Sequence, residues 1–421
     1  MFQSSSLFSL PVNAAIFLFG AIALVAPSGY SWGPAMLLLV ALPQFVLPSY
    51  WKYLTRQDCI IVAALTVYIL AAVMEVYYHQ IGSRELDRPS RFLAAILILP
   101  LLLKYTLNPA FFWAGVSVGG FLAGLFATWQ VVVIGLSRAG GNTQIIQFGD
   151  ICALLSLLSI SALGWAGRQS NTRLWYGLLA LGFLGGAVGS VLSGSRGGWI
   201  AFVVCLVIVL WGFRDRVSLK AVSVSAIAMA VLMSFAWFTP NSALHTRTVQ
   251  AFDEFSTYTN GEQAHTSVGS RLEMWEAAMI IGAEKPLLGW GSIEYEVRKA
   301  EYIAQGRFSG FIGNYTHAHN EFFDAWSKRG AFGLIALMLL FLLPAVAFYK
   351  GFSEKNLGTR SLAIAGVIVP SACALFSMSQ GFFSHNSGAM VYSFMVVILW
   401  ALFQQSRKTD NALKKDHLEL R

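Results

Sequence analysis

Long apolar runs recur along almost the whole chain, and they constrain its fold more than any other feature. Apolar residues make up 56% of the 421 residues and charged residues only 12%, whereas a soluble globular chain carries about 25% charged residues. An apolar run of about 17–25 residues is long enough to cross a bilayer as a helix. The sequence therefore predicts an all-α, polytopic membrane protein and excludes an ordinary soluble enzyme.

About twelve intervals are predicted to cross the membrane as helices: residues 11–27, 33–48, 59–77, 91–106, 109–134, 148–167, 174–192, 198–213, 220–239, 330–349, 361–378 and 388–405. The chain then divides into transmembrane helices 1–9 in residues 1–239, a long polar interval in 240–329, transmembrane helices 10–12 in 330–405 and a charged tail in 406–421. This pattern is typical of one folding unit with many spans.

Basic residues predict how these helices are oriented. With both termini in the cytoplasm, the short inner loops and the tail hold sixteen Lys and Arg residues, and the short outer loops hold five. Cytoplasmic loops carry such an excess of basic residues, and long loops translocate largely regardless of charge. Residues 240–329 are then expected to form one large, partly helical periplasmic loop between spans 9 and 10. The net charge of +8 is explained by contact with membrane lipids and predicts no nucleic-acid partner.

The long loop ends in a stretch that carries two histidines, an amide and two carboxylates within eight positions. Residues 318–328 contain no Gly or Pro and are predicted to form a short helix. Such a helix would place His317, Glu321 and Asp324 on one face, and His319, Phe323 and Trp326 on another. A histidine of near-neutral pKa can act as a general base. The alternative is a hydrogen-bonded surface histidine on an amphipathic helix.

Ser270-Arg-Leu-Glu273 matches a capping box and predicts a helix that runs to about Glu284. Arg271 would occupy the first helical position, where free backbone N–H groups and the positive end of the helix dipole favour a phosphate. The alternative is an exposed arginine paired with Glu273 or Glu276.

Ser193-Gly-Ser-Arg196-Gly-Gly198 joins two predicted spans on the outer side. Small residues let the backbone approach a ligand closely, and the planar guanidinium of Arg196 matches a phosphate. The alternative is an interfacial arginine that reaches to lipid headgroups. Arg138, beside Gly140-Gly141-Asn142, is a third candidate.

Together, these residues predict a site for a phosphorylated lipid. Arginines can stabilise a departing diphosphate without a metal, and His319 or His317 could deprotonate an incoming hydroxyl. The two histidines lack the i, i+4 spacing of a helical zinc pair, and the chain contains no P-loop and no dinucleotide fingerprint. We therefore expect no metal and no cofactor, with the energy of the reaction stored in the lipid-linked donor.

These motifs resemble those of the O-antigen ligase family. His319-Asn320, nine residues and Gly330-Ala-Phe-Gly333 are similar to the family's histidine motif, and Ser-Arg-Gly at 195–197 and Gly-Ser-Arg at 269–271 are similar to its two arginine sites. The resemblance extends over the whole chain, since the family also has about twelve spans and one late periplasmic loop. O-antigen polymerases and bacterial O-linked protein oligosaccharyltransferases share the histidine motif in looser form.

The resemblance implies a GT-C-like, metal-independent, inverting glycosyltransferase of the bacterial inner membrane. It would move a glycan from undecaprenyl diphosphate to a sugar hydroxyl on the lipid A-core. By the same resemblance His319 is the base, Arg196 and Arg271 hold the diphosphate, and His317 and Asn320 support them. A polymerase, a protein oligosaccharyltransferase or a transporter for the lipid-linked glycan are the alternatives. A transporter is disfavoured because a transport path calls for charges inside the membrane, and the apolar runs carry almost none.

Overall fold

The computed structural model describes residues 6–216, 218, 243–259 and 266–419, and within these residues the chain is helical and contains no strand. Its α-helices in chain order are α1 Ser6–Ala21, α2 Gly29–Ala41, α3 Pro48–Trp51, α4 Cys59–Tyr78, α5 Ser90–Lys104, α6 Pro109–Thr128, α7 Ile145–Ser161, α8 Leu163–Ala166, α9 Thr172–Ser193, α10 Arg196–Gly212, α11 Ala243–Thr259, α12 Ser267–Glu284, α13 Gly291–Ala304, α14 Glu321–Tyr349, α15 Leu357–Ser377 and α16 Asn386–Glu419. The predicted all-α class is confirmed.

Within the described ranges, seven helical segments are long and apolar enough to cross a membrane. They are Cys59–Tyr78, Pro109–Val133, Ile145–Ala166, Thr172–Ser193, Glu321–Ser353, Leu357–Ser377 and Asn386–Lys414. Two shorter apolar helices, Ser9–Ala21 and Arg196–Gly212, accompany them. The chain is therefore a polytopic, all-helical membrane protein.

The count of about twelve spans is confirmed only in part. Predicted spans 33–48 and 91–106 coincide with α2 and α5, which are only 13 and 15 residues long. α2 ends just before Pro43, which is part of a 3-10 turn. Proline has no backbone N–H with which to continue an α-helix. The predicted span 220–239 lies outside the described residues, as does much of the interval 240–266. The number of spans and the placement of the long loop stay predictions.

Glycines on α9 bring three helices into backbone contact. A Cβ on Gly120 of α6 would lie 2.5 Å from the carbonyl oxygen of Gly182, and one on Gly124 would lie 2.4 Å from that of Gly185. On the other side, a Cβ on Gly186 would lie 2.6 Å from the carbonyl oxygen of Cys152 in α7. Small residues permit such close packing between membrane helices. This packing fixes the end of α9, where the Ser193–Gly198 turn begins.

The last two apolar helices form the centre of the bundle, and residues 387–404 of α16 are buried without interruption. A smaller core lies among α12, α13 and the segment that leads to the histidines. Its buried members are Met274, Ala277, Ala278, Ile281, Tyr295, Phe308, Ile312 and Ala318. The described part of the long loop is therefore a packed unit, and it can hold the histidine stretch in a fixed position.

Candidate active site

Three arginines from separate parts of the sequence line one cleft of about 420 Å³. Its lining residues are Arg138, Ile146, Gly194, Ser195, Arg196, Gly197, Ser267, Arg271 and Ser379. We call this site the arginine cleft. The structure thus brings together all three arginines that the sequence singled out.

A buried carboxylate holds the turn that carries Arg196. Ser195 precedes α10, and its hydroxyl donates to Oδ1 of Asp150 at 2.5 Å. Asp150 is fully buried, and a Cβ on Gly198 would lie 3.2 Å from the same oxygen. A carboxylate at a helix N-terminus is favoured by the helix dipole. Asp150 therefore fixes the start of α10 and, with it, the position of Arg196.

Arg138 is tied to the same turn through the backbone. Its Nε donates to the carbonyl oxygen of Ser193 at 2.6 Å, and its Nη2 donates to that of Gly194 at 3.4 Å. Gly194 has a φ of 66°, a left-handed conformation that glycine adopts at little cost. The guanidinium of Arg138 therefore both braces the turn and adds positive charge to the cleft.

The predicted start of the helix that carries Arg271 is wrong. The helix begins at Ser267, and its cap is Thr266, whose hydroxyl oxygen accepts from the N–H of Gly269 at 3.0 Å. Ser270 is instead a buried residue inside the helix, which places Arg271 in its second turn. The predicted end at Glu284 is confirmed. Thr266 and Ser270 are both possible caps by sequence, and tertiary contacts decide which of them precedes the helix.

The predicted alternative partners of Arg271 do not hold it. Glu273 is buried, and its Oε2 accepts from the hydroxyl of Ser309 at 2.7 Å. Glu276 is exposed. Burial lowers the pKa of Arg271, and the neighbouring cation Arg196 lowers it further, while Asp150 and Glu254 oppose this shift. Two guanidinium groups are thus held close together, an arrangement that an incoming anion would stabilise.

The predicted helix over residues 318–328 is also wrong at its start. Asn320 is the cap, with its Oδ1 accepting from the N–H groups of Phe322 and Phe323 at 2.9 and 3.3 Å, and α14 begins at Glu321. The histidines precede the helix, so they share no helical face with Glu321, Asp324, Phe323 or Trp326. The side chain of Asn320 accepts from the first free N–H groups of the helix. The helix therefore begins after Asn320 and does not extend further upstream.

His319 has an unusual backbone and an unused side-chain nitrogen. Its φ is 49°, a left-handed conformation that costs a residue with a Cβ about 1–2 kcal/mol. Its Nδ1 is buried and has no hydrogen-bond partner among the described residues. Strained backbone and orphaned polar atoms tend to occur at functional sites. Nδ1 is therefore positioned to interact with a group that arrives with the substrate.

The aromatic surroundings of His319 are tightly packed. The ring of His317 is 4.2 Å away and that of Tyr315 is 5.3 Å away, both edge to face. The Nδ1 of His317 accepts from the backbone N–H of His319 at 3.3 Å. Lys328 donates to the carbonyl oxygen of Thr316 at 2.8 Å, and the buried Lys299 donates to that of Tyr315. The segment before the helix is thus fixed at several points.

Burial keeps the histidines neutral. Desolvation, followed by the charges of His317 and Arg271, lowers the pKa of His319 to about 3, while Asp324 opposes this shift. Desolvation likewise lowers the pKa of His317 and lowers that of the neighbouring His385 to about 4. At neutral pH these imidazoles are therefore unprotonated.

Two hydrogen bonds join the histidine stretch to the arginine cleft. Trp275 lies one turn after Arg271 on α12, and its indole N–H donates to the carbonyl oxygen of Ala318 at 3.0 Å. The Nδ2 of Asn320 donates to the carbonyl oxygen of Met378 at 3.0 Å, and the next residue, Ser379, lines the cleft. His319 does not itself line the cleft but lies between these two links. The histidine stretch is therefore bonded to residues that neighbour the arginine cleft, and Arg271 lies close enough to His319 to lower its pKa.

The two glycines of the histidine motif have a structural role. Gly330 has a φ of 60°, and a Cβ there would lie 2.4 Å from the backbone carbon of Leu287. The N–H of Ala331 donates to the carbonyl oxygen of Pro286 at 2.7 Å. A Cβ on Gly333 would lie 2.1 Å from that of Arg329. Gly330 thus breaks α14 and lets the chain after α12 pack against it.

The two carboxylates of the motif are occupied by the protein. The Oδ1 of Asp324 accepts from the N–H of Ala318 at 2.9 Å and lies 3.4 Å from the Nζ of Lys328. The Oε1 of Glu321 accepts from the N–H of Phe383 at 2.9 Å. Both are buried, so they shape the site and leave His319 as the motif's candidate base.

Sequence reasoning missed Asp150, Trp275 and Ser379. A lone carboxylate inside an apolar run is a signal that could have found Asp150, because charged residues within membrane spans are rare and often functional. Trp275 lies one helical turn after Arg271 and was detectable by that spacing. Nothing in the sequence around Ser379 distinguishes it.

A comparison with protein families finds a match over the residues that carry these motifs. Residues 181–338 match the model of a family described as O-antigen ligase. The matched region contains Arg196, Arg271 and the whole histidine motif.

Individual relatives agree with that match. An O-antigen ligase of Escherichia coli is 25% identical over 181 residues, 42% of each chain. A ComP-specific O-oligosaccharyltransferase of Acinetobacter baylyi is 23% identical over 174 residues, which are 40% of this chain and 28% of the relative. An uncharacterized protein of Haemophilus influenzae is 27% identical over 383 residues, 90% of this chain and 95% of the relative. The chain is therefore similar to the O-antigen ligase family over the region that carries Arg196, Arg271 and the histidine motif.

Proposed function

We propose that the protein transfers an O-antigen glycan from undecaprenyl diphosphate to a sugar hydroxyl of lipid A-core. The reaction would take place in the bacterial inner membrane, at a site that faces the periplasm. The observation that carries this proposal is the proximity of Arg271, which lines the arginine cleft, to His319, whose buried Nδ1 has no partner among the described residues. The arginine cleft suits an anion, and His319 offers a base.

The arginine cleft is proposed to bind the diphosphate of the donor. Arg196 and Arg271 supply planar guanidinium groups, which match phosphate oxygens in pairs. Arg138 contributes positive charge from the wall of the cleft. As the glycosidic bond breaks, negative charge grows on the diphosphate, and fixed cations stabilise that charge in the transition state. A metal is not required for this step, which stays a prediction to be tested with a chelator.

His319 is proposed to be the general base. Its imidazole nitrogen removes the proton of the acceptor hydroxyl while the hydroxyl oxygen attacks the anomeric carbon of the donor sugar. The bond from that carbon to the diphosphate oxygen breaks, and undecaprenyl diphosphate leaves with the bonding electrons. Attack opposite to the leaving group inverts the anomeric configuration. His317 and Asn320 hold the segment in place.

The low pKa of His319 fits a base that is activated by its substrate. In the free protein, desolvation and the charges of His317 and Arg271 hold the pKa near 3, which makes the imidazole a weak base. A bound diphosphate would offset the charge of Arg271 and add negative charge nearby. Its arrival would therefore raise the pKa of His319 towards the value at which a general base is most effective.

The second candidate uses the same donor with another acceptor. The similarity to an O-oligosaccharyltransferase of Acinetobacter baylyi favours a protein hydroxyl as the alternative acceptor, and an O-antigen polymerase would use the end of a growing glycan. The proposed donor site and base are the same in all three. A transporter for the lipid-linked glycan remains the third alternative, and it would not need the base.

A transfer assay with the purified protein tests these alternatives. The donor is a glycan on undecaprenyl diphosphate, offered with lipid A-core, with a pilin-type protein acceptor or with a second donor molecule, each with and without EDTA. Glycosylated lipid A-core that forms in the presence of EDTA is the expected product. Product on one of the other acceptors alone would reassign the acceptor, and no product on any would contradict the proposed activity.

A further inference from the structure

A second charged cleft lies near the other end of α16. It encloses about 690 Å³ and is lined by Thr55, Arg56, Gln57, Gln404, Arg407, Lys408 and Asn411. We call it the basic cleft. Its lining includes three cations and no carboxylate, and none of its residues belongs to the histidine or arginine motifs.

The basic cleft is about one bilayer core away from the candidate active site. His385, which lies close enough to His319 to lower its pKa, immediately precedes α16. At a rise of 1.5 Å per residue, Gln404 is about 30 Å further along that helix. The hydrocarbon core of a bilayer is about 30 Å thick. The two clefts are therefore separated along α16 by about the thickness of a hydrocarbon core.

A buried carboxylate positions the loop that forms one wall of the basic cleft. The Oδ2 of Asp58 accepts from both the N–H and the hydroxyl of Thr55 at 2.7 Å. Its Oδ1 accepts from the indole N–H of Trp400 at 2.7 Å. Gln404 lies one helical turn after Trp400, so it faces the same loop. The wall that carries Arg56 is thus fixed against α16.

Gln404 points to a missing ligand. Its side chain is 4% exposed, and its Nε2 has no hydrogen-bond partner among the described residues. The adjacent Gln405 is fully bonded, since its Nε2 donates to Leu102 and Tyr105 and its Oε1 accepts from Leu107. A buried amide without a partner destabilises the folded state. Nε2 is shielded from solvent, so the amide would have to turn towards the cleft to bond a ligand there.

The charge of the cleft indicates that the ligand is an anion. Arg407 donates to Glu354 at 3.0 Å, whereas Arg56 and Lys408 form no ion pair within residues 6–216, 218, 243–259 and 266–414. A neighbouring cleft at the same end has Arg168, Lys355 and Lys414 beside two carboxylates, Glu354 and Asp410. The carboxylates of the neighbouring cleft offset most of its positive charge, whereas no carboxylate among the described residues lines the basic cleft.

We propose that the basic cleft binds the phosphate of an anionic phospholipid headgroup. Arg56 and Lys408 would supply charge from the rim, and the amide of Gln404 would turn to donate to a phosphate oxygen. Basic pockets between membrane helices bind such headgroups. A free phosphate has the same chemistry and is the alternative source.

Thermal unfolding of the full-length protein in detergent tests this site. Phosphatidylglycerol, phosphatidylcholine and potassium phosphate are each titrated, because a ligand that binds only the folded state raises Tm with its concentration. We expect phosphatidylglycerol to raise the Tm of the wild type by several degrees. Gln404→Leu and the double variant Arg56→Gln/Lys408→Gln should lose this shift, while Lys414→Gln in the neighbouring cleft should keep it.

Each other outcome has a defined meaning. Gln404→Leu should unfold at or above the wild-type Tm without lipid, because it removes an unpartnered buried amide. If that variant fails to fold, the double variant at the exposed rim decides. A rise with potassium phosphate but not with phosphatidylglycerol, abolished by the same variants, would keep the anion site and exclude the headgroup. An equal rise with phosphatidylcholine, a rise that survives in the variants, or no rise in the wild type would overturn the proposal.

Discussion

The arginine cleft and the histidine stretch are built in opposite ways, although they are neighbours in the structure. The cleft concentrates positive charge, and its turn is held by Asp150 and by the backbone contacts of Arg138. The histidine stretch is kept neutral by burial, and it retains a strained residue with an unused nitrogen. Under the proposed mechanism, this difference means that the site for the anion would be ready before the substrate arrives, whereas the base would become effective only afterwards.

The largest effect is expected from replacing the base. His319→Asn should reduce transfer by about 10²–10⁴-fold, the usual contribution of a general base. Asparagine tolerates a left-handed backbone, so the variant should fold and still bind the donor. Transfer and donor binding are measured with purified protein, and His317→Asn is the matched control, with a smaller loss. Near-normal transfer by His319→Asn would remove the histidine from the mechanism.

A smaller loss is expected in the arginine cleft. Arg271→Lys keeps the charge but cannot offer a planar fork to the diphosphate, and transfer should fall by about 10²-fold or more. The control is Arg298→Lys, since Arg298 lies in the same loop, is paired with Glu284 and Glu301 and is partly exposed. Steady-state transfer rates of both variants are compared with the wild type. Equal rates for Arg271→Lys and the wild type would show that transfer does not depend on the planar guanidinium of Arg271.

A third change affects the support of the histidine stretch. Gly330→Ala places a Cβ against the backbone of Leu287 and requires a left-handed conformation, which should destabilise the protein by more than about 1 kcal/mol. Thermal unfolding should show a lower Tm, with transfer reduced as well. Gly310→Ala is the control, because a Cβ there meets nothing within 4 Å. An unchanged Tm for Gly330→Ala would show that the break in α14 at Gly330 does not contribute to stability.

The smallest effect is expected from acid. With a pKa of about 3 in the free protein, His319 stays neutral as the pH falls from 7 to 5.5, and kcat/KM should change little. A histidine of ordinary pKa would lose roughly tenfold over that range as it became protonated. The pH profile of kcat/KM distinguishes the two. A loss centred near pH 6.5 would contradict the desolvated state of His319.

The sequence was sufficient for the class of fold and for the charged candidates of the site, but not for Asp150, Trp275 or Ser379. Apolar runs and charge depletion predicted the helices, and the resemblance of the motifs to those of the O-antigen ligase family selected His319, Arg196 and Arg271. It was insufficient where local signals compete. Thr266 and Ser270 are both good caps, and residues 318–328 have helical propensity up to the point where Asn320 takes over the first N–H groups.

The buried polar contacts could not have been predicted either. Asp150 lies in an apolar run, and its partner Ser195 is 45 residues away. Asn320 binds the carbonyl oxygen of Met378, which is 58 residues away. Such pairs depend on how the helices pack, and hydrophobic periodicity carries no information about them. The first of these pairs positions Arg196, and the second links the histidine stretch to the residue before Ser379.

The coupling between these two regions is tested most directly by the protonation of His319 with and without bound undecaprenyl diphosphate. The chain has 7 histidines, so the imidazole resonances of isotope-labelled protein can be assigned by substitution and followed through a pH titration. We predict that His319 stays neutral at pH 5 in the free protein and that bound diphosphate raises its pKa. A pKa near 6.5 in both states, or no response to the diphosphate, would contradict a single site.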